Sequence, residues 1–482
     1  MQRPREPRIT LTRDAGEVSR LAASVERLPR VALDLEANGL FAYEASLCVL
    51  SIAWEEGSPE EGRPITVAIV DPLATSIEPL RRALGPEGPV KILHDLSFDA
   101  RLLERAGLPL GRARDTSLTA RMLGAVATGL GALLEREFGV PIDKRLQQHD
   151  WARRPLTAEQ IVYLAEDVSH LFALDDTLSA RAEALDITAE IADECAYRLA
   201  SAKGPARDDR PTYARIKGAA ALNAPGRAAL RRLEAARDVV ARARDVPPFK
   251  VMSSEALLAV ARARPVTMAA LLAVPEIRRT KLASAPTSTN GPGLTADMLL
   301  QAVAEGLRDG DVPADHADFF AKAASPGRAM ITAKRAALAR ISAFRKGEAK
   351  LRGVDEQVIL PGHCAHDLVD VLLAHRPDDP ALPEAIAAIP GIGSRRLARY
   401  AGAFVALARA EDGGGSEHEP PPGAETTHEE PFGETTGPKR HDASAQQSDS
   451  GYGGPHQASL GGGRGREPSP GTRGREPSPR TK

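Results

Sequence analysis

Two regimes of hydrophobic patterning divide the chain. In the first, short apolar runs rich in β-branched residues occur at 31–35, 47–54, 65–70 and 90–93, which predicts strands. Asn38-Gly39, directly after the first run, is a turn signal consistent with a hairpin. Beyond Leu93 the period changes. Leu102, Leu103, Leu118, Met122, Leu123, Leu133 and Leu134 recur three or four residues apart within their segments, the spacing of helices with one buried face. Thr157-Ala-Glu-Gln160 before another periodic stretch reads as a capping box opening a long helix. Roughly the first 195 residues therefore read as α/β.

Past a Gly- and Pro-containing linker expected at 201–225, nearly everything reads as helix. Two alanine- and leucine-rich blocks are expected at 226–307 and 332–410, the first interrupted by the irregular SAPTSTNGPG at 284–293. The tail at 411–482 holds 15 Gly and 10 Pro but only Leu460 among Val, Ile, Leu and Met. So little apolar surface cannot offset chain entropy, and disorder is expected there. The tail also repeats RGREPSP, at 464–470 and 473–479.

Composition bounds the reading. The 482 residues suggest two to four domains, and a 42% apolar share is enough for real cores. No run of about 18 apolar residues suggests a membrane helix, and MQRPREPRIT lacks the apolar stretch of a secretory signal. Cys48, Cys195 and Cys364 lie too far apart for a metal knuckle or disulfide framework, so a reducing compartment, the cytoplasm, is expected. The net charge of −2 resolves into −9 over 1–200, +12 over 201–350, −1 over 351–410 and −4 beyond. An acidic unit followed by a basic one suggests metal-binding chemistry joined to polyanion binding, with solvated helix faces as the plainer account.

Candidate chemistry lies in three places. On a strand, Asp34 and Glu36 share a face while Leu33 and Leu35 share the other. Two such carboxylates repel and resist desolvation, and a divalent cation that favours oxygen ligands resolves both problems. In Val90-Lys-Ile-Leu-His94-Asp-Leu-Ser-Phe-Asp99 a strand gives way to a helix, placing Asp99 in the first turn, where the helix dipole alone would account for it. His94 reads as a satisfied strand-end histidine, or else as a ligand. Tyr163 and Asp167, four apart on the long helix, could simply share a hydrogen bond.

Taken in order, Asp-x-Glu on the first strand, Asp after a strand-to-helix junction and Tyr-x3-Asp on a late helix resemble the three motifs of the DEDD exonucleases, tyrosine subclass. Leu47-Cys-Val-Leu-Ser-Ile-Ala-Trp54, Asp115-Thr-Ser-Leu-Thr-Ala-Arg-Met-Leu-Gly124 and the 143–156 block, Asp-Lys-Arg-Leu-Gln-Gln-His-Asp-Trp-Ala-Arg-Arg-Pro-Leu, narrow the resemblance to the ribonuclease D family over 8–200. Leu35 stands where that family usually has Thr, and the following Ala-Asn-Gly-Leu is similar to the proofreading domain of bacterial DNA polymerases. Both helical blocks resemble HRDC domains. The resemblance is closer for 332–410, through 338–354, Val358-Ile-Leu-Pro361 and Gly391-Ile-Gly393, with Phe344 in place of the usual Trp.

The resemblance implies a ribonuclease-H-like domain with a mixed sheet, followed by two all-α HRDC-like domains. It implies two Mg²⁺ or Mn²⁺ ions held by Asp34, Glu36, Asp99 and Asp167, with Asp34 bridging, and Tyr163 orienting the attacking water. Lys144, Gln147, Arg153 and Arg154 could hold substrate phosphates, with packing and ion pairing at Arg154-Pro155 an equally good account of part of that block. The implied activity is a 3′→5′ exoribonuclease releasing nucleoside 5′-monophosphates in RNA processing, with transfer-RNA precursors as substrates and a monomer assumed. A DNA-directed exonuclease and a non-catalytic nucleic-acid-binding scaffold are the alternatives. Gly391-Ile-Gly393 could offer N–H groups to a phosphate or form a plain turn. Arg231, Arg232, Arg242, Arg244, Arg262 and Arg264 make the first helical block the expected source of RNA affinity.

Overall fold

The computed structural model describes residues 7–57, 64–141, 145–204, 210–288, 291–320 and 328–409. The tail expected to be disordered lies outside them, as does Lys144. No helix among the described residues is long and apolar enough to cross a membrane.

Six strands form one mixed sheet: β1 (Arg8–Thr12), β2 (Arg30–Ala37), β3 (Leu47–Glu55), β4 (Ile65–Val70), β5 (Val90–Leu93) and β6 (Ala113–Asp115), in the order β1-β4-β3-β2-β5-β6. β2 pairs antiparallel with β3 and parallel with β5. The four apolar runs all form strands. β1 and β6 were not anticipated, because RITLT is half polar at a sheet edge and Ala-Arg-Asp is too short to show a period. Asn38 does close a hairpin, but a long one. It accepts N–H bonds from Phe41 and Ala42 on its carbonyl and from Ser46 on its side chain, so the loop runs through 38–46 rather than two residues.

Helices α1 (Ala15–Val25), α2 (Leu96–Arg105) and α3 (Thr116–Met122) share a core with one face of the sheet, through Val18, Leu21, Leu96, Leu103 and Met122 against Val31, Leu33, Leu50 and Ile52. The other face is covered by α5 (Ala158–Ser169) and α6 (Leu171–Ala184), through Leu164, Val168 and Phe172 against Ala32, Val49, Val67 and Ile69. Between these groups lies α4 (Leu130–Phe138), and α7 (Thr188–Lys203) ends the α/β part.

The helical half contains α8 (Ala224–Ala243), α9 (Ser254–Ala263), α10 (Ala296–Asp309), α11 (Arg328–Arg352), α12 (Gly362–Ala374), α13 (Leu382–Ala387) and α14 (Ser394–Arg409), with shorter turns between. α8 to α10 build a core of their own. Of the expected 201–225 linker, 201–203 end α7, while Tyr213, Ala214, Ala219 and Leu222 are buried in this core, so the later part belongs to the first block; its apolar side chains outweigh its Gly and Pro content. The irregular 284–293 insertion includes a two-residue ladder, Thr287–Ser288 against Gly291–Pro292. α11 to α14 instead share the core of the sheet's α1 face, with Ile341, Val358, Leu368 and Phe404 in one cluster with Leu33 and Ile191.

α8 and α10 approach closely at Gly306, where a Cβ would lie 2.4 Å from Ala229 Cα and 2.5 Å from its N. Backbone cannot yield as a side-chain tip can, so Gly306→Val is expected to destabilise the first block by about 2–3 kcal/mol. Denaturant unfolding followed within this block checks it, and an unchanged midpoint would contradict the close approach.

Contacts among the described residues join the two halves. Tyr43, in the loop after β2, donates its hydroxyl to Asp238 of α8 (2.6 Å) and its N–H to Asp245 (3.0 Å). Arg242 lies over its ring and Lys250 over that of Phe41. On the far side, the buried Arg396 donates to carbonyls of Glu190, Val358 and Ile392, while Arg395 and Arg399 pair with Asp186.

Candidate active site

β2 decides the geometry. Val31, Leu33 and Leu35 enter the core on the α1 face, so alternation turns Ala32, Asp34 and Glu36 toward α5. Ala32 packs there with Trp151, Leu164 and Val168; one and two steps further along, carboxylates replace the apolar side chain. The capping box opening α5 is formed, Thr157 accepting from Gln160 N–H (3.2 Å) and Gln160 from Thr157 N–H (2.8 Å). Counting from this fixed start, Tyr163 and Asp167 fall one turn apart facing the strand. Carboxylate oxygens of Asp34, Glu36 and Asp167 lie within 4.8 Å of one another.

Asp99 reaches the same cleft from the first turn of α2. A residue missed by sequence reasoning places it. The buried Asp115 accepts the N–H groups of Asp95 (3.1 Å) and Leu96 (3.2 Å) at the start of α2 and of Leu118 (3.1 Å) at the start of α3. Asp95 adopts a left-handed conformation (φ 67°) to deliver its N–H, and Arg198 of α7 neutralises Asp115. An acid just before a helical pattern was the visible signal, but its second helix, twenty residues back, was not.

All four carboxyls resist ionisation. Burial pushes Asp34 up to about 6, against a hydrogen bond from the Leu35 backbone. Burial and then the charges of Asp34, Asp167 and Asp99 push Glu36 up to about 10. Burial followed by Asp34 takes Asp167 up to about 7 and holds Asp99 well above the carboxylate range. Four oxygen donors with these penalties fit divalent cations, whose charge offsets both desolvation and repulsion. Tyr163 is also pushed up, by burial and then Asp167 and Glu36, so its hydroxyl stays protonated and can donate.

The cleft encloses about 490 Å³. Besides the carboxylates it is lined by Ser117, Arg121, Thr128, Gly129 and Gln147. Arg121, the one cation in the described lining, sits one turn beyond Ser117 on α3; it stands in the 115–124 motif, where nothing in the spacing marks it for the cleft. His94 lies 2.8 Å from the Thr116 hydroxyl, and burial lowers its pKa. It is a satisfied strand-end histidine, outside the carboxylate cluster.

Of the expected phosphate contacts, Gln147 lines the cleft and Arg153 is exposed beside Asp150. Arg154 requires a correction. It grips Asp71 with two nitrogens (2.6 and 2.7 Å) and donates to the carbonyls of Cys48, Trp151 and Arg153. These bonds hold it away from the cleft lining, and its role is structural. It braces Trp151, which is fully buried and stacks on Tyr163 with ring centroids 5.8 Å apart. In the helical half, Arg231 and Arg232 pair with Asp309, Arg242 with Asp238, and Arg264 donates to Asn223. Only Arg244 and Arg262 of the six arginines lack a described ion-pair or hydrogen-bond partner. Gly391-Ile-Gly393 packs on Tyr197 and Asp193 of α7, as an interhelix turn.

Comparison with known proteins agrees with this geometry. A 3′-5′ exonuclease family model matches residues 9–183 and an HRDC domain model matches 227–284. The HRDC match falls in the first helical block, not in the later one, where the motifs had pointed more strongly. A ribonuclease D of Granulibacter bethesdensis is 29% identical over 320 residues, 65% of this chain and 75% of that one. The Haemophilus influenzae ribonuclease D is 33% identical over 203 residues, 41% of this chain and 51% of its own length. The crystal structure of Escherichia coli RNase D, described as an exoribonuclease involved in structured RNA processing, superposes with a TM-score of 0.58 at 22% identity, covering 83% of this chain and 98% of that one. At that identity it shows the shared fold.

Proposed function

We infer that this chain, a homologue of bacterial ribonucleases D with a 3′-5′ exonuclease domain followed by an HRDC domain, removes nucleotides one at a time from RNA 3′ ends. The observation that carries the reading is the convergence of Asp34, Glu36 and Asp167 within 4.8 Å, with Asp99 on the same cleft.

Asp34, Glu36, Asp99 and Asp167 would hold divalent cations, two Mg²⁺ or Mn²⁺ in this reading. The ions would supply an activated water and neutralise charge on the attacking and leaving oxygens. The chain's own residues do the rest. The Tyr163 hydroxyl, protonated and braced by Trp151, orients the water by donating a hydrogen bond rather than by taking its proton. Gln147 and Arg121, which line the cleft, would contact the phosphates. The products are nucleoside 5′-monophosphates.

Transfer-RNA precursors are the proposed natural substrates, the cytoplasm the proposed setting and a monomer the proposed state. The three cysteines are free and buried, consistent with a reducing environment. The second helical block is proposed as a further HRDC-like domain. Because four of the six arginines of the first block pair internally, any RNA affinity it contributes rests on positions such as Arg244 and Arg262.

Full-length protein with Mg²⁺ or Mn²⁺ is expected to shorten single-stranded RNA from its 3′ end in preference to DNA of the same sequence. Tyr163→Phe should lower turnover about 10- to 100-fold with metal affinity unchanged. Degradation of DNA beside intact RNA would replace the substrate assignment by the DNA-directed alternative.

A further inference from the structure

The exonuclease family match ends at residue 183, but one bond on which the cleft depends comes from beyond it. Asp115 is fully buried, and its two oxygens accept the N–H groups of Asp95, Leu96 and Leu118. Those groups start α2 and α3, so one carboxylate sets where Asp99 on α2, and Ser117 and Arg121 on α3, enter the cleft. A charge held in the interior by N–H dipoles alone is costly. Among the described residues, the cation paired with Asp115 is Arg198 of α7, at 3.1 Å.

Arg198 is itself aimed. Its Nη1 donates to Asp115 while its Nε donates to Glu194, one turn back, at 3.3 Å. A planar fork spanning two carboxylates has little freedom to shift. The other end of α7 is seated as firmly. Glu190, Glu194 and Arg198 recur every four residues and share one helix face. The buried Glu190 accepts on its carbonyl from Arg396, and its carboxylate lies 3.5 Å from Arg399 and 3.9 Å from Arg352. Ile191 and Cys195 between them are buried in the apolar cluster that includes Leu33. The Arg198–Asp115 pair therefore stabilises one placement of two helix starts, and not merely the contact between α7 and the sheet.

We propose that Arg198 is a positioning residue for the carboxylate site: acting through Asp115, it holds the first turns of α2 and α3 so that Asp99 reaches the cluster of Asp34, Glu36 and Asp167. The proposal rests on the 3′→5′ exonuclease reading and makes its geometry depend on a helix outside the matched exonuclease segment.

The test compares wild-type full-length protein with Arg198→Met, which keeps the length of the side chain without its charge, and Arg198→Lys, which keeps the charge. On single-stranded RNA, Arg198→Met should lower kcat about tenfold with KM little changed, and raise the Mn²⁺ concentration for half-maximal turnover about tenfold. Arg198→Lys should fall between Arg198→Met and wild type; a Lys variant as impaired as the Met variant would overturn the proposal. A lowered melting temperature with kcat and Mn²⁺ requirement unchanged would make the pair structural only. A second arm needs neither metal nor turnover. In chelator, hydrogen exchange at the Asp95, Leu96 and Leu118 amides should be about tenfold faster in Arg198→Met, while amides of α8, which packs in a separate core, keep wild-type rates. Unchanged exchange at those three amides would overturn the proposal whatever happens to turnover. Faster exchange there, beside a wild type that leaves RNA intact, would sustain the positioning of α2 and α3 and reject the exoribonuclease reading.

Discussion

An Asp34→Asn chain is expected to lose exonuclease turnover by about a thousandfold or more and, without metal near pH 8, to melt at a higher temperature than wild type. Both results have one cause. Asp34 shares the 4.8 Å cluster with Glu36 and Asp167, so asparagine removes a charged donor from the set that would hold the proposed ions. The same charge raises the pKa of Glu36, Asp99 and Asp167, and its removal relieves all three. A site assembled for chemistry is thus assembled against stability. Turnover on 3′-labelled RNA and thermal melts in chelator check the pair of effects. Retained turnover, or a lower metal-free melting temperature, would count against the carboxylates acting together.

Metal-free stability should fall as pH rises, and divalent metal should reverse the trend. Unfolded carboxyls ionise near ~4 to 4.5, whereas in the folded chain Asp34, Asp167 and Glu36 do so near about 6, 7 and 10. The folded state binds more protons through that window, so the stabilisation present below pH 4 is progressively lost as pH climbs through 6, 7 and 10. Between pH 5 and 9 the metal-free melting temperature should drop by on the order of 5 °C. Excess Mn²⁺ binds the ionised cluster, so its stabilising effect should grow over the same range. Melts at pH 5, 7 and 9, with chelator and with Mn²⁺, decide the matter; a metal-free profile that rises with pH would exclude the cluster as the dominant titrating unit.

The carboxylates were legible because each obeys a local rule. Period-two alternation gives Asp34 and Glu36 one face, the capping box fixes the phase of Tyr163 and Asp167, and the strand-to-helix junction places Asp99. What escaped depends on partners remote in sequence. Arg154 sits among cations that look ready for phosphate, but its carboxylate, Asp71, is 83 residues away. Arg231 and Arg232 inflate the apparent basic face until Asp309, over seventy residues on, is placed beside them. Asp115 looks like an ordinary helix cap until its second helix is seen. Tyr43 gave no signal, because an aromatic in a polar loop has no period to betray a contact with Asp238.

The order of the chain and the order of its cores do not agree. The second helical block, last among the described residues, shares one apolar cluster with the sheet, while the first block, lying between them in sequence, keeps its own. In folding terms the first block is an insertion in a larger cooperative unit. It can unfold or rearrange as a foldon, tethered to the loop after the catalytic strand through Tyr43, whereas α11 to α14 belong to the same apolar cluster as the sheet. Opening of this middle block would be felt at the loop leading away from Glu36, through Phe41 and Tyr43.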